Sequence, residues 1–404
     1  MTSSLTLLVD LDDTLLTNPV KEFMELYLKL LSDYMQPYVD PKLMIPQLLK
    51  STDLMIEKVH PYQTLESVFD ADFYPALGLD LKEVKPFVDR FYSDVFPEIQ
   101  GMTSPKPEAI EAIQHAFSRG YRVVIATNPL FPKLATSLRL AWAGLPESEY
   151  PYDLVTSYES MHYAKPKSEY YAEILGQLGW PDQPVCMVGN SYEFDILPVN
   201  RLGIPAYLVT DNASLGNNDS AKGIQRGALR ELIPWLDSIN SQENLSSYDQ
   251  EDSILAILNS TPGALVSLLR DLNQSKWDEN PIENLGSIAD SLKNLTEIEK
   301  SHMLIHGQDI FRNMDHVVEQ QIYWYCHDEV LYRSTYSIPE LIDFYTRRSI
   351  FLSKLDFTKP DILHRNITHP DFGSLTLLEY LAFISINDRH YLQLIKSLID
   401  HLQN

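Results

Sequence analysis

The sequence predicts an α/β protein: a doubly wound parallel sheet interrupted by a helical insert and followed by an all-α helical bundle. Three observations carry this. A short apolar run, residues 5–9, ends at once in Asp10, Asp12, Asp13 and Thr14, as expected of a buried parallel strand that delivers acids to its carboxyl end. Further apolar runs at 121–126, 185–188 and 206–209 alternate with helical periodicity over short connections. That alternation belongs to a parallel sheet covered on both faces. Beyond residue 252 strand character vanishes and long helical periods take over.

The elements follow in order. After the first strand, Phe23, Leu26, Tyr27, Leu30 and Leu31 fall at helical spacing and predict a helix over 20–34. Pro37, Pro41 and Pro46 punctuate the next stretch, an apolar helical block occupies 43–59, and further helices are expected around 64–71 and 83–95. No strand pattern is convincing between 17 and 100, so the insert is all-helical. A helix at 107–119 leads into the strand at 121–126, then come a helix at 132–143, a short strand at 154–156 and a helix at 169–178. The strand at 185–188, a short helix at 195–202, the strand at 206–209 and a helix at 224–239 complete the unit. The polar stretch 212–222 reads as a surface loop and 240–252 (NSQENLSSYDQED) as a linker. Helical periods at 254–272, 285–311, 338–355 and 375–402 make a four-helix bundle the economical arrangement. The expected domains are therefore an α/β core of 1–16 and 101–240, a helical cap of 17–100, a linker of 241–252 and a bundle of 253–404.

A chain of 404 residues has room for two or three domains with full cores. Its hydrophobic fraction of 44% and charged fraction of 22% are ordinary, but its formal charge of −24 is not. So acidic a surface repels nucleic acid and anionic membrane, and neither is expected as a partner. Any phosphate site must be locally positive or carry a metal. Cys186 and Cys326 lie far apart in sequence and suit a reducing, cytoplasmic setting. The opening MTSSLTLLVDLDD has no basic stretch before its apolar run, which ends in acids, so it reads as neither signal peptide nor membrane span. No apolar run is expected to be long enough to span a bilayer.

Asp10, Asp12 and Asp13 place three carboxylates within four residues. These repel one another unless a cation neutralises them, and Mg²⁺, a hard ion with oxygen ligands, is the natural candidate. The bland reading is an acidic turn that caps the next helix. Asp10-Leu11-Asp12-Asp13-Thr14-Leu15 resembles the first motif, DxDGTL, of the haloacid dehalogenase superfamily. Three later segments resemble that family's remaining motifs in order: VVIATNP, ending its apolar run at Thr127; YAKPKSEYY, with Lys165 before Pro; and VCMVGNSYEFDI, with Gly189 expected to allow a tight turn and Asp195 in the family's second acidic position. Lys167 lies nearby but does not match the Lys-Pro pattern. The chain departs from the family at two positions: Asp13 stands where Gly is common, and Asn190 where Asp is usual.

The resemblance covers about 5–239 and implies a Rossmann-like core. It also implies a Mg²⁺-dependent phosphomonoester hydrolase acting through an aspartyl-phosphate on a small phosphorylated metabolite. Asp10 would be the nucleophile and Asp12 the general acid and base. The Thr127 hydroxyl, with Asn128 beside it, and Lys165 would bind the phosphoryl group. Asp10, the Asp12 backbone carbonyl, Asp195 and Asn190 would hold Mg²⁺, more weakly for the charge missing at 190. Residues 17–100 would act as a cap that closes over the site and selects substrates. The family's dehalogenases generally lack the second Asp, so Asp12 argues for phosphate. The alternative, motivated by Asn190, is a low-activity or inactive binding and regulatory protein whose helical domain docks a partner.

The C-terminal segments SILAILNSTPGALVSLLRDL, GSIADSLKNLTEIE and SLTLLEYLAFISINDRHYLQLI resemble DinB-like four-helix bundles, and a metal-dependent thiol transferase is a third, weaker reading. The resemblance puts that family's metal ligands at Asn294, Asn387 and Tyr391, none of which carries an imidazole, so that metal site is expected to be missing. His302 and His306 are four residues apart and would share a helix face. A zinc site there would need a third ligand such as His390 and a carboxylate such as Glu299 or Asp388. Histidines so placed are more often half-buried or surface residues. Tyr323, Trp324 and Tyr325 are expected to pack or to line a pocket, and apolar helical faces of the bundle could support a homodimer.

Overall fold

A computed structural model describes residues 5–57, 62–211, 223–240, 248–283, 285–299, 344, 346–352, 355, 362–369 and 373–403. The N-terminal part runs β1 (Thr6–Val9), β2 (Leu16–Thr17), α1 (Val20–Met35), α2 (Pro41–Glu57), α3 (Leu65–Ala76), α4 (Leu81–Asp94), β3 (Ser104–Pro105), α5 (Pro107–Ser118), β4 (Arg122–Ile125), α6 (Lys133–Trp142), β5 (Leu154–Val155), α7 (Ser168–Gln177), β6 (Val185–Gly189), α8 (Leu197–Arg201), β7 (Ala206–Val209), β8 (Ile224–Gly227) and α9 (Leu232–Asn240). Six strands form one parallel sheet in the order β5-β4-β1-β6-β7-β8. β1 lies between β4 and β6, so the chain turns outward in both directions from it. The strand order reverses there, and ligands of open α/β sheets bind in the crevice at such a switch point.

The register explains why short apolar runs suffice. Leu8 stands opposite Val124 and Met187, while Leu7 stands opposite Val123 and Cys186. Successive side chains of a strand face opposite ways. Accordingly Leu8, Val124 and Met187 join one apolar layer, and Leu7, Val9, Val123, Ile125, Cys186 and Val188 join the other. Both faces are covered, as the unbroken hydrophobicity of these strands requires.

The insert is helical, as expected. Thr64 caps α3 by accepting from Ser67 N at 3.2 Å, and Asp80 caps α4 by accepting from Lys82 N at 2.8 Å and Glu83 N at 3.3 Å. Where the chain leaves and re-enters the core, β2 and β3 pair antiparallel, Leu16 with Pro105 and Thr17 with Ser104. This two-stranded hinge is too short to show as a pattern in the sequence.

Two expectations need correction. The helix expected at 224–239 is split: Ile224–Gly227 pairs in register with Ala206–Val209 as the sixth strand, and only Leu232–Asn240 is α-helical. Edge pairing is a long-range contact that local periodicity does not report. The helix expected at 195–202 begins as a wide turn, Tyr192–Ile196, and is α-helical only over Leu197–Arg201.

The C-terminal part contains α10 (Glu251–Leu269), α11 (Ile288–Glu299), helical residues 346–352, and α12 (Leu377–Gln403). Ahead of α12 an antiparallel pair, β9 (Asn366–His369) with β10 (Gly373–Thr376), occupies the start of the stretch expected to be helix from 375. Asp388, a suggested metal carboxylate, is fully buried and paired with Arg348, whose Nη2 donates to it at 3.0 Å. Asn294 is exposed, Asn387 donates to the Phe383 carbonyl at 2.9 Å, and the Tyr391 ring meets His390 edge-on at 5.3 Å. His302, His306, Tyr323, Trp324 and Tyr325 lie outside the described residues. Among the described residues, α10 is the one helix long and apolar enough to cross a membrane, contrary to the expectation of none; 67% of its apolar window is buried inside the protein.

What buries α10 is the N-terminal core. It packs along α7, and α12 packs against both α7 and α10. Every residue from Tyr170 to Gly176 in α7 is consequently buried. The two helices approach so closely that a Cβ on Gly176 would stand 2.6 Å from that of Ala264. The apolar layer on this side of the sheet is continuous from Leu8 through Ile174 to Ile257 and Leu392. The helical part is thus fused to the α/β core by shared packing.

Candidate active site

The site lies where β1, β4 and β6 end side by side. Asp10 N donates to the Val188 carbonyl at 2.9 Å, which fixes the first residue past β1 against β6. The Asp10 carboxylate accepts from Lys165 Nζ at 2.8 Å through Oδ1 and from the Thr14 hydroxyl at 3.0 Å through Oδ2. Lys165 Nζ also donates to Asp195 Oδ1 at 2.6 Å, and Asp195 Oδ2 accepts from Ser191 N at 2.9 Å. One ammonium therefore bridges two carboxylates. All three residues are nearly inaccessible: Asp10 is 7%, Lys165 2% and Asp195 1% exposed.

Charge balance follows from this geometry. Burial pushes the Asp10 carboxyl up to about 7; Lys165 opposes the rise, while Asp195 and Asp12 add to it. Burial alone would lower the Lys165 ammonium, but Asp10 and Asp195 outweigh it and hold it well above the usual lysine range.

Lys165 is held by a buried frame. Glu173 of α7, fully buried, accepts from His162 N at 3.0 Å and Tyr163 N at 3.3 Å, with His162 Nδ1 at 2.7 Å. Lys165 N donates to Asn128 Oδ1 at 3.3 Å, so the Asn128 side chain ties the segment after β4 to the lysine segment. Thr127 is buried, and its carbonyl accepts from Tyr170 OH at 2.6 Å and Thr156 Oγ1 at 2.9 Å. Tyr171 OH donates to the Phe194 carbonyl at 2.8 Å, next to Asp195. α7 thus braces the segments after both β4 and β6.

Both departures from the family pattern have a visible setting. Asp13 has φ +56°, in the left-handed region where Gly is at ease and Asp is among the few alternatives. Its Oδ1 accepts from Asn18 N at 2.8 Å, and Lys106 Nζ donates to its carbonyl. Asn190 is exposed, and its Oδ1 accepts from the same Thr14 hydroxyl at 3.2 Å. Asp10 Oδ2 and Asn190 Oδ1 therefore face one small volume. Gly189 is the last residue of β6, paired with Leu208, and its backbone is not left-handed, so no positive φ calls for a glycine there. Its role is space: a Cβ there would come within 2.4 Å of Asp195 Cγ and Oδ2.

Asp12 does not stand free. Its Oδ2 is ion-paired with Arg139 Nη1, and its Oδ1 accepts from Asn18 Nδ2 at 2.8 Å. Arg139, on α6, is 2% exposed, and its guanidinium sits 5.0 Å over the Phe131 ring. Thr14, Asn18, Lys106 and Arg139 were not singled out as site residues from the sequence. The one signal for Arg139 was a charge set between leucines, in SLRLAW.

The carboxylate oxygens of Asp10 and Asp195 and the amide oxygen of Asn190 are of the hard kind a divalent cation such as Mg²⁺ takes. With Lys165 counted, Asp10 and Asp195 leave one uncompensated negative charge. The Asp12 carboxylate is turned to Arg139 and Asn18, and no group of three or more His, Cys, Asp or Glu side chains suited to a metal is found among the described residues, so the side chains left for Mg²⁺ are those of Asp10, Asp195 and Asn190.

Residues 5–203 match the family described as hydrolase, haloacid dehalogenase-like hydrolase. No curated protein matches the chain. Among solved structures, a HAD phosphatase from Thermococcus onnurineus is 20% identical, covering 57% of this chain and 97% of its own, with a TM-score of 0.37. A 2-haloacid dehalogenase from Pseudomonas syringae pv. Tomato DC3000 is 19% identical over 58% of this chain and 98% of its own, with a TM-score of 0.42. The L-2-haloacid dehalogenase from Xanthobacter autotrophicus is 15% identical over 58% of this chain and 98% of its own, with a TM-score of 0.34. The four motif segments meet at the switch point and the family match runs across all of them, so residues 5–203 form a haloacid dehalogenase-like hydrolase domain.

Proposed function

We propose that this hydrolase is a Mg²⁺-dependent phosphomonoesterase acting on a small phosphorylated metabolite through an aspartyl-phosphate at Asp10. The observation that carries the reading is Lys165 bridging Asp10 and Asp195 at 2.8 and 2.6 Å, with Thr14 linking Asp10 to Asn190. An Asp10 oxygen attacks phosphorus and the ester P–O bond breaks. Asp12, once it has left Arg139 and taken up a proton from solvent, gives that proton to the leaving oxygen and then receives one from the water that hydrolyses the aspartyl-phosphate. To do so the Asp12 carboxyl exchanges its contact with Arg139 for the reacting oxygen. Lys165 keeps Asp10 oriented and offsets charge on the phosphoryl oxygens, and Thr127 lies at the end of β4 on the same rim. Asp10, the Asp12 carbonyl, Asp195 and Asn190 would hold Mg²⁺, which would add to the stabilisation of phosphoryl charge.

A second reading, a slow or inactive phosphate-binding protein, is favoured by Asn190 and by Arg139 and Asn18 engaging both oxygens of Asp12. Release of phosphate from p-nitrophenyl phosphate separates the two. Turnover that needs Mg²⁺, stops with EDTA and is lost in Asp10→Asn supports the enzyme. Tight phosphate or BeF₃⁻ binding without turnover of any phosphoester supports the second reading. Chloride release from 2-chloropropionate would instead make it a dehalogenase.

A further inference from the structure

The segment that carries Lys165 also carries the helical insert. Leu65 N and Glu66 N, at the start of α3, donate to the carbonyls of Met161 and Tyr158, each at 2.9 Å. Lys85 of α4 reaches Tyr158 OH at 3.3 Å while pairing with Glu66 at 2.8 Å and Asp70 at 3.4 Å. In the opposite direction, Lys167 Nζ donates to the carbonyls of Ile56 at 2.6 Å and Glu57 at 3.3 Å. These are the last two residues of α2. The final carbonyls of a helix have no partner within it and carry the negative end of its dipole, so an ammonium is well placed there.

Two lysines two residues apart thus point to different tasks: Lys165 into the carboxylate pair, Lys167 into the insert. Asp10, Lys165 and Asp195 are buried, and by the family resemblance the insert is the cap of this site. On one side the insert is joined to the core covalently, through the β2–β3 hinge. Elsewhere the insert meets the core through apolar packing, Phe23 and Tyr27 on Phe131, Phe96 on Trp142, and Met55, Leu65 and Val68 with Tyr158 and Met161; the polar contacts of Lys167 with α2 and of Tyr158 and Met161 with α3 add direction to it. We propose that Lys167 is a positioning residue that latches the helical insert shut over the Asp10–Lys165 site. It governs the open–closed balance and, through it, apparent substrate affinity, without entering the chemistry. The kinetic part rests on the phosphatase reading; the latch itself does not.

The test is Lys167→Met in the full chain, read by amide exchange and by kinetics with p-nitrophenyl phosphate. Loss of a charge-assisted contact at a helix end should raise exchange in the last turn of α2 and the first turn of α3 by roughly 3- to 10-fold. KM should rise by a similar factor with kcat within about twofold, and Lys167→Arg should restore both. Tyr158→Phe, which removes only the Lys85 contact, should shift exchange in α3 and α4 in the same direction. Unchanged exchange in α2 and α3 overturns the latch, and so does a fall in kcat at constant KM. If no phosphoester is turned over, the exchange result still decides the latch, and the phosphatase reading alone fails.

Discussion

Replacing Gly189 by alanine tests the geometry on which the site depends. The added Cβ would stand 2.4 Å from Asp195 Cγ and Oδ2 and 2.5 Å from Asp195 Cβ. Asp195 is 1% exposed and cannot swing into solvent. It must move with its loop, which stretches its 2.6 Å bond to Lys165 and its 2.9 Å bond from Ser191 N together. Overpacking of this kind costs about 1–3 kcal/mol, and breaking a buried ion pair about 3–5 kcal/mol. Since Lys165 keeps Asp10 as a partner, a net loss of roughly 2–4 kcal/mol is expected. The catalytic loss should be about 10²- to 10³-fold in kcat, as for removal of one preorganised charge contact. Urea unfolding followed by circular dichroism, together with phosphate release, measures both. The same substitution in an Asp195→Gly background, which removes the Cβ at 2.5 Å as well as the carboxylate, finds room for its methyl and should cost little more, giving a strong coupling between the two sites. If Gly189→Ala stays within about 0.5 kcal/mol of the parent and keeps its activity, Asp195 is not packed against β6 in the way that makes the site.

Three further outcomes are expected. The Asp10 carboxyl is raised from 3.8 to about 7 in the folded chain, so the stability it contributes is complete below pH 3.8 and is lost as pH rises through 7. In EDTA, the urea midpoint should therefore fall between pH 5 and 8 more steeply for the parent than for Asp10→Asn, and Mg²⁺ should reduce that fall; parallel pH profiles would contradict the burial argument. Gly176→Ala should destabilise the chain because its methyl meets Ala264, and Ala264→Gly should relieve it; a double-mutant cycle should give a coupling of about 1 kcal/mol or more, and a coupling near zero would mean that α7 and α10 are not in contact. Cys186 is fully buried, and its thiol is held well above the usual range by burial, so peptide mapping should find it unlabelled by a thiol reagent until the chain is unfolded in urea.

Much of the site was legible in the sequence, because its chemistry lies in residues adjacent in the chain to strong strand signals. The runs ending just before Asp10, Thr127 and Asn190 each announce a strand end, and the sheet then has little choice about where those ends meet. The sequence could not show what each side chain does there. Asp12 faces Arg139, 127 residues away, because α6 packs beside the first turn. Asp13 takes a glycine's place by adopting a left-handed backbone and bonding Asn18. Gly189 is small for the sake of Asp195, not for a turn. Lys167, set aside for lacking the motif, reaches a helix more than a hundred residues earlier.

The sequence by itself determined the alternation of strands and helices, since apolar periodicity is a local property of the chain. It also determined which acids stand at the strand ends and which lysine, ahead of α7, carries the motif. The tertiary structure decided that Ile224–Gly227 pairs as a strand, that α7 is buried on both sides, and that α10 is a core helix of the whole molecule. Periodicity states which face of an element seeks cover. The partner that supplies the cover comes from contacts across the chain, which exist only once the sheet has formed.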